Sequence, residues 1–242
     1  MDSVGIAKRS GTFLPVGFFA TSIGKKLVVA VTGFGMLFFV IGHMVGNLQT
    51  LIGQNELNRY AAFLQGLGEL LWLERAIMAV MLILHVWFAV MLKLENWQAR
   101  PEKYKFNNTV QATLASRTMI WTGLLVASFV TYHLLHFTLL TIHPEYAELR
   151  DQLGRHDVYS MVILGFRNYL VSGFYILMML TLAYHLSHGI KSMFQTLGWN
   201  NEKYEPGLNT LSYAIATILF LGYISIPVAV ILNIVKLPAG VQ

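Results

Sequence analysis

Four histidines stand inside four successive apolar segments of this chain: His43, His85, His133 and His185. An imidazole is costly at the depth of a hydrocarbon core, so a histidine placed there has a task. Neutral imidazole is a natural ligand of haem iron, and ligation relieves the cost of burying it. One histidine on each of four helices, falling at two depths, makes a pair of bis-histidine metal sites, most simply two b-type haems. The chemistry that follows is electron transfer across a bilayer.

The elements that must carry these residues are apolar and long. Of 242 residues, 55% are hydrophobic and 12% charged, against roughly 25% charged in a soluble domain. Mean hydropathy is +0.56. Such a chain belongs in a membrane. Five runs approach the roughly 20 residues that a bilayer requires, at 26–48, 75–94, 118–142, 168–190 and 209–235. All five should be helices, because lipid offers unpaired backbone groups no partner. The expected architecture is an all-α integral membrane protein, one domain over 1–242, with a four-helix di-haem core and one additional helix. No internal repeat or low-complexity stretch appears. The N-terminus lacks an uninterrupted apolar stretch of the kind a cleaved signal carries, and Phe13–Phe19 reads as an interfacial segment.

There is no cysteine, which excludes disulfides, thiolate-ligated iron–sulfur clusters and covalently attached c-type haem. An iron–sulfur centre must therefore sit on another subunit. The spans hold almost no acidic residue away from their ends, which counts against a histidine-lined proton transporter without a cofactor. No nucleic-acid partner is expected.

Lys and Arg counts orient the chain. With the N-terminus inside, inner segments hold eleven: Lys8, Arg9, Lys25, Lys26, Lys93, Arg100, Lys103, Lys105, Arg117, Lys191 and Lys203. Outer segments hold six: Arg59, Arg75, Arg150, Arg155, Arg167 and Lys236. The basic loop 95–117 then faces the cytoplasm. The outer segment 143–167 is long enough for a short surface helix, and His143 and His156 within it read as solvated.

At a rise of 1.5 Å per residue, sequence offset gives depth. His43 lies roughly 25 Å and His133 roughly 22 Å from the inner edge of their spans, and His185 roughly 25 Å from its outer entry. His85 lies about 15 Å from the outer side. This pairs His43 with His133 toward the outside and His85 with His185 toward the inside, as diagonals of a four-helix bundle. Gly35, Gly42, Gly46 and Gly189 lie near these positions and would let a porphyrin approach the backbone. His136 and His188 each follow a candidate ligand by three residues on the same face. Either member of each pair could bind iron on this argument, and the other would serve a propionate or a quinone pocket. A quinone slot needs hydrogen-bonding groups at its carbonyls, for which Tyr60, Gln65 and Glu69 are outer-side candidates. Asn47, one turn beyond His43, suits haem or quinone. Arg75, Lys25 and Lys26 are available to propionates or to interfacial anchoring. The five tryptophans read as an aromatic belt. Pro227 should kink the fifth helix, which lacks a histidine and completes the packing.

These residues resemble a family. Gly24 to Lys26, Thr32-Gly33 and Ile41 to Leu48 (IGHMVGNL) are similar to the first helix of the cytochrome b subunit of succinate:quinone oxidoreductases, in its b558-type di-haem branch. Asn58 to Leu64 (NRYAAFL), Glu74 and Leu84-His85 resemble its outer loop and second helix. Val130 to His133 (VTYH) resembles the third helix, and Tyr184 to Gly198 (YHLSHGIKSMFQTLG) the fourth. The resemblance covers about 22 to 235. It implies that His43, His85, His133 and His185 are the axial ligands, choosing His133 over His136 and His185 over His188. It implies two haems b, a quinone (menaquinone), a flavoprotein and an iron–sulfur subunit as partners, and a bacterial cytoplasmic membrane. Succinate would be oxidised on the flavoprotein, with no catalytic residue for it here, and some relatives run as fumarate reductases. The alternative is a di-haem b cytochrome serving another respiratory dehydrogenase, a hydrogenase or a transmembrane reductase. Two departures stand out. Some di-haem fumarate reductases carry Glu where this chain has Ala183, and Glu at the menaquinol site where an ungapped count gives Gln65. Their proton pathway does not carry over.

Overall fold

A computed structural model describes residues 17–99 and 113–238. Lys8, Arg9, Arg100, Lys103, Lys105 and the start of the Phe13–Phe19 segment lie outside the described residues. Five helices are long and apolar enough to cross a membrane, each overlapping one of the five expected spans with ends displaced by up to about six residues. They are α1 (Ser22–Asn47), α3 (Glu69–Gln98), α4 (Leu114–His133, continued by a π turn over Leu134–Thr138), α6 (Tyr169–Thr196) and α7 (Glu205–Ile231). Two shorter helices, α2 (Gln54–Gly66) and α5 (Val158–Arg167), lie in the connections at one end of the bundle. The starts are capped where side chains can do it. Thr21 accepts from Gly24 N at 3.0 Å, Thr113 from Ser116 N at 3.2 Å, and Asn168 from Leu170 N at 2.9 Å.

The four histidine-bearing helices form a square. α1 packs on α3, α3 on α4, α4 on α6, and α6 on α1, while neither diagonal is among the closely packed pairs. The fifth spanning helix, α7, lies along α6 and also touches α1 and α5. It runs through Pro227, which is buried. Large apolar side chains point outward from the bundle: α3 has no buried residue, and Trp72, Trp87, Trp97, Trp121 and Trp199 are all exposed. At the end that the charge counts predict to be inner, Lys25, itself buried, pairs with Glu95 and ties α1 to α3, so it is not free for another anion. Lys191 and Glu205 tie α6 to α7 at 2.8 Å.

The outer end is more elaborate than the sequence reading expected. α2 stands where that reading has only a loop, and α5 is not a surface helix. Tyr159, Met161, Val162, Ile163 and Phe166 of α5 are buried against α2, α6 and α7. The reason is polar as well as apolar. Asp157, 1% exposed, caps α5 at Ser160 N (3.1 Å) and accepts from Ser160 Oγ (2.6 Å), Asn58 Nδ2 (2.9 Å) and Gln54 Nε2 (2.8 Å). Asn58, fully buried, also donates to Asp151 and accepts from Tyr159 N at 3.0 Å. A buried carboxylate that satisfies four donors is strong only while all of them are present. His156 meets the Tyr146 carbonyl at 3.0 Å, while the His143 side chain stays exposed and pairs with exposed Glu145 at 2.9 Å.

Two outcomes are expected. Asp157→Ala strands the amides and hydroxyl around it and lowers stability by about 3 kcal/mol, read as a fall in Tm of the detergent-solubilised protein; an unchanged Tm removes the clasp. Burial acts to raise the Asp151 carboxyl, but the hydrogen bonds from Arg155, Asn58 and Leu153 outweigh it and hold the group below its ordinary value. Its contribution is therefore full above an unfolded carboxyl pKa of about 3.9 and is lost as pH falls through the lower folded value. Asp151→Asn should flatten the acid side of a Tm-against-pH curve, and an unaltered acid limb would contradict this.

Candidate functional site

The centre of the square is a cavity of about 1200 Å³, beyond the roughly 300–1,000 Å³ typical of a pocket for one small ligand. His43, His85, His133 and His185 all line it, one from each wall. Each of these rings is only partly buried, open to the cavity, whereas His136 is fully enclosed.

The outer pair meets across the α1–α4 diagonal. The rings of His43 and His133 stand edge to face, 5.8 Å between centroids and 86° between planes. Phe39 stacks on His43 at 5.4 Å. The Asn47 amide reaches His43 Nε2 at 3.3 Å and donates to the His43 carbonyl at 2.8 Å. A metal at Nε2 would take the lone pair that this amide now faces. Tyr175 of α6 lies 3.5 Å from His133 Nδ1 and 3.0 Å from His136 Nδ1, so it bridges the two histidines.

The inner pair is seated differently. His85 of α3 leans on α1, with Nδ1 at 3.2 Å from Thr32 Oγ1 and 3.1 Å from the Val29 carbonyl. His185 of α6 leans on α4, with Nδ1 at 3.2 Å from Thr122 Oγ1. Each ring lies over a glycine. A Cβ on Gly33 would stand 3.1 Å from His85 Cε1, and one on Gly123 3.2 Å from His185 Cε1. These glycines are what let the rings approach the backbone of the adjacent helix.

Other residues singled out in the sequence divide clearly. His188 lines the cavity, as do Lys26, Asn47 and Tyr60. Tyr60 packs so closely on Gly46 that a Cβ there would meet its ring at 2.5 Å. Gln65 and Glu69 are exposed and outside the cavity, because α2 ends and α3 begins beyond its rim. Arg75 stacks on Trp72 at 5.0 Å, an anchoring contact. His136 does not share a face with His133: the π turn beginning at Leu134 takes more residues per turn than an α-helix and rotates it out of the cavity. Its ring stacks on Phe137 at 3.9 Å, and Nε2 has no hydrogen-bond partner among the described residues. Four contributors were not visible in the sequence as site residues. Thr32, Thr122 and Tyr175 touch the histidines, and Tyr223 of α7 brings its ring to 6.2 Å from His43 while donating to the Val40 carbonyl at 2.7 Å. The fifth helix therefore helps to wall the site as well as completing the packing.

Among the described residues no group of three or more His, Asp or Glu side chains converges as a metal cage. The donors come in twos, which suits a planar ligand that brings its own equatorial donors. Fold and site together define a multi-pass helical membrane protein with facing histidines in a central cavity. The family model for the succinate dehydrogenase/fumarate reductase transmembrane subunit matches residues 96–224, just over half of the chain. The chain belongs to that family. The matched region holds α4, α5, α6 and most of α7, and with them His133 and His185. Comparison with curated proteins and with solved structures found no match.

Proposed function

We propose that this chain is the di-haem cytochrome b anchor of a succinate:quinone oxidoreductase. It would carry electrons between an iron–sulfur subunit and membrane quinone. The observation that carries this reading is the set of four cavity-facing histidines on diagonally opposed helices. His43 and His133 face the same cavity with 5.8 Å between ring centroids, and would hold one haem between them. Haem at these positions supplies one-electron exchange. The protein's part is to hold imidazoles at two depths, to exclude water with apolar walls, and to place cations at the cavity's inner mouth. Lys26 and Lys93 line that mouth and suit propionates. On the outer side Asn47 and Tyr60 are the hydrogen-bonding groups that a quinone ring, menaquinone by the resemblance, would meet. Gln65 and Glu69 do not line this cavity. The chain has no role in succinate chemistry on this reading, which assigns that step to a flavoprotein partner. The N-terminus faces the cytoplasm of a bacterial inner membrane.

The complex isolated through this chain is expected to contain a flavoprotein and an iron–sulfur protein, and succinate should reduce its b-type haem. Purification with a different dehydrogenase or a hydrogenase, with haem that succinate leaves oxidised, would replace this reading with the other di-haem b cytochrome. A second outcome concerns the ligands. His85→Ala or His185→Ala removes one haem, and His43→Ala or His133→Ala the other, while His136→Ala retains both by absorption spectrum. Loss of haem from His136→Ala but not from His133→Ala would overturn the assignment.

A further inference from the structure

The two seats of the inner histidines are copies of one another. α1 carries Thr32-Gly33 and then His43; α4 carries Thr122-Gly123 and then His133. In both helices the threonine precedes the histidine by eleven residues, which is about three turns at 3.6 residues per turn and so returns to the same face, roughly 16 Å away. Each of these helices thus presents an outer histidine and, three turns below it, a threonine–glycine seat for the histidine of its neighbour. In both seats the hydroxyl already gives its single proton to its own helix, Thr32 to Val28 O at 2.6 Å and Thr122 to Met119 O at 3.0 Å. What remains on the oxygen is acceptor capacity. The ring must then donate from Nδ1, which fixes the tautomer and leaves the lone pair on Nε2. For His85 the Val29 carbonyl, which can only accept, requires the same tautomer.

We infer that Thr32 and Thr122 are positioning residues that hold both inner histidines in the Nε2-ligating tautomer and, through the Nδ1 hydrogen bond, lower the redox potential of the inner centre. The inference rests on the haem reading of that pair. Accepting a hydrogen bond from Nδ1–H makes the imidazole a better donor to the oxidised metal. The two seats are unequal: His85 has a second acceptor in Val29, whereas Thr122 is the one acceptor that His185 Nδ1 meets among the described residues.

The test is a potentiometric titration of the purified complex carrying Thr122→Val, Thr32→Val or Thr122→Ser, with haem content measured in each. Thr122→Val should keep two haems and shift the inner centre's redox equilibrium toward the reduced form about tenfold, which is 59 mV for a one-electron couple. Thr32→Val should shift it less, Thr122→Ser should restore it, and the outer centre should stay put in all three. An inner potential unmoved by Thr122→Val, or both centres moving alike, overturns the inference while the haem reading stands. Should Thr122→Val lose haem, the serine variant decides: restored haem at the wild-type potential supports the seat, and restored haem at a shifted potential contradicts it. A wild-type complex without haem removes the underlying reading and the inference with it.

Discussion

Imidazoles at membrane depth constrain everything else in this chain. In lipid a polar ring has no water to fall back on, so each nitrogen needs a partner within the bundle or a ligand in the cavity. The square of α1, α3, α4 and α6 answers that constraint. Its neighbouring helices pack tightly, its diagonals stay apart, and the gap between them receives one histidine from each wall. Glycines at 33 and 123 let two of the rings lie against the neighbouring helices, and a π turn beyond His133 rotates the competing His136 out of the gap.

The rest of the fold supports that centre. α7 closes the α1–α6 side and lends Tyr223 to the outer pair. The outer connections fold into α2 and α5, clasped through Asp157 and Asn58, and set Leu57, Val162 and Phe166 over the cavity's outer end. The inner end is held by ion pairs, Lys25 with Glu95 and Lys191 with Glu205, between the helix pairs α1–α3 and α6–α7. Polar fastening at both ends and apolar packing between them is the arrangement a bilayer favours, because the ends reach water and headgroups.

The spanning helices were legible because hydrophobic length is a long-range, redundant signal, and the four histidines because they violate it. Other features depend on register and partnership that no single stretch encodes. α2 is too short and too polar to announce itself, and the burial of α5 depends in part on Asp157 meeting Asn58 about a hundred residues away. The π turn is a backbone choice made by tertiary packing, so His136 looked equivalent to a cavity residue by spacing. Thr32, Thr122, Tyr175 and Tyr223 are hydroxyls in apolar runs, indistinguishable from ordinary helix-packing residues until their neighbours are known. Gln65 and Glu69 show the converse: placed plausibly by count, they lie on the exposed side of a helix junction.

Family membership ties the chain to the succinate dehydrogenase/fumarate reductase membrane subunits through its C-terminal half, while half of the histidine set stands on helices outside that match. The claim that all four act together is therefore the one to test first. The direct measurement is the haem-to-polypeptide ratio of the purified wild-type complex, from a pyridine haemochrome spectrum against quantified chain. Two b-type haems per chain is the result this account predicts; one or none would contradict it.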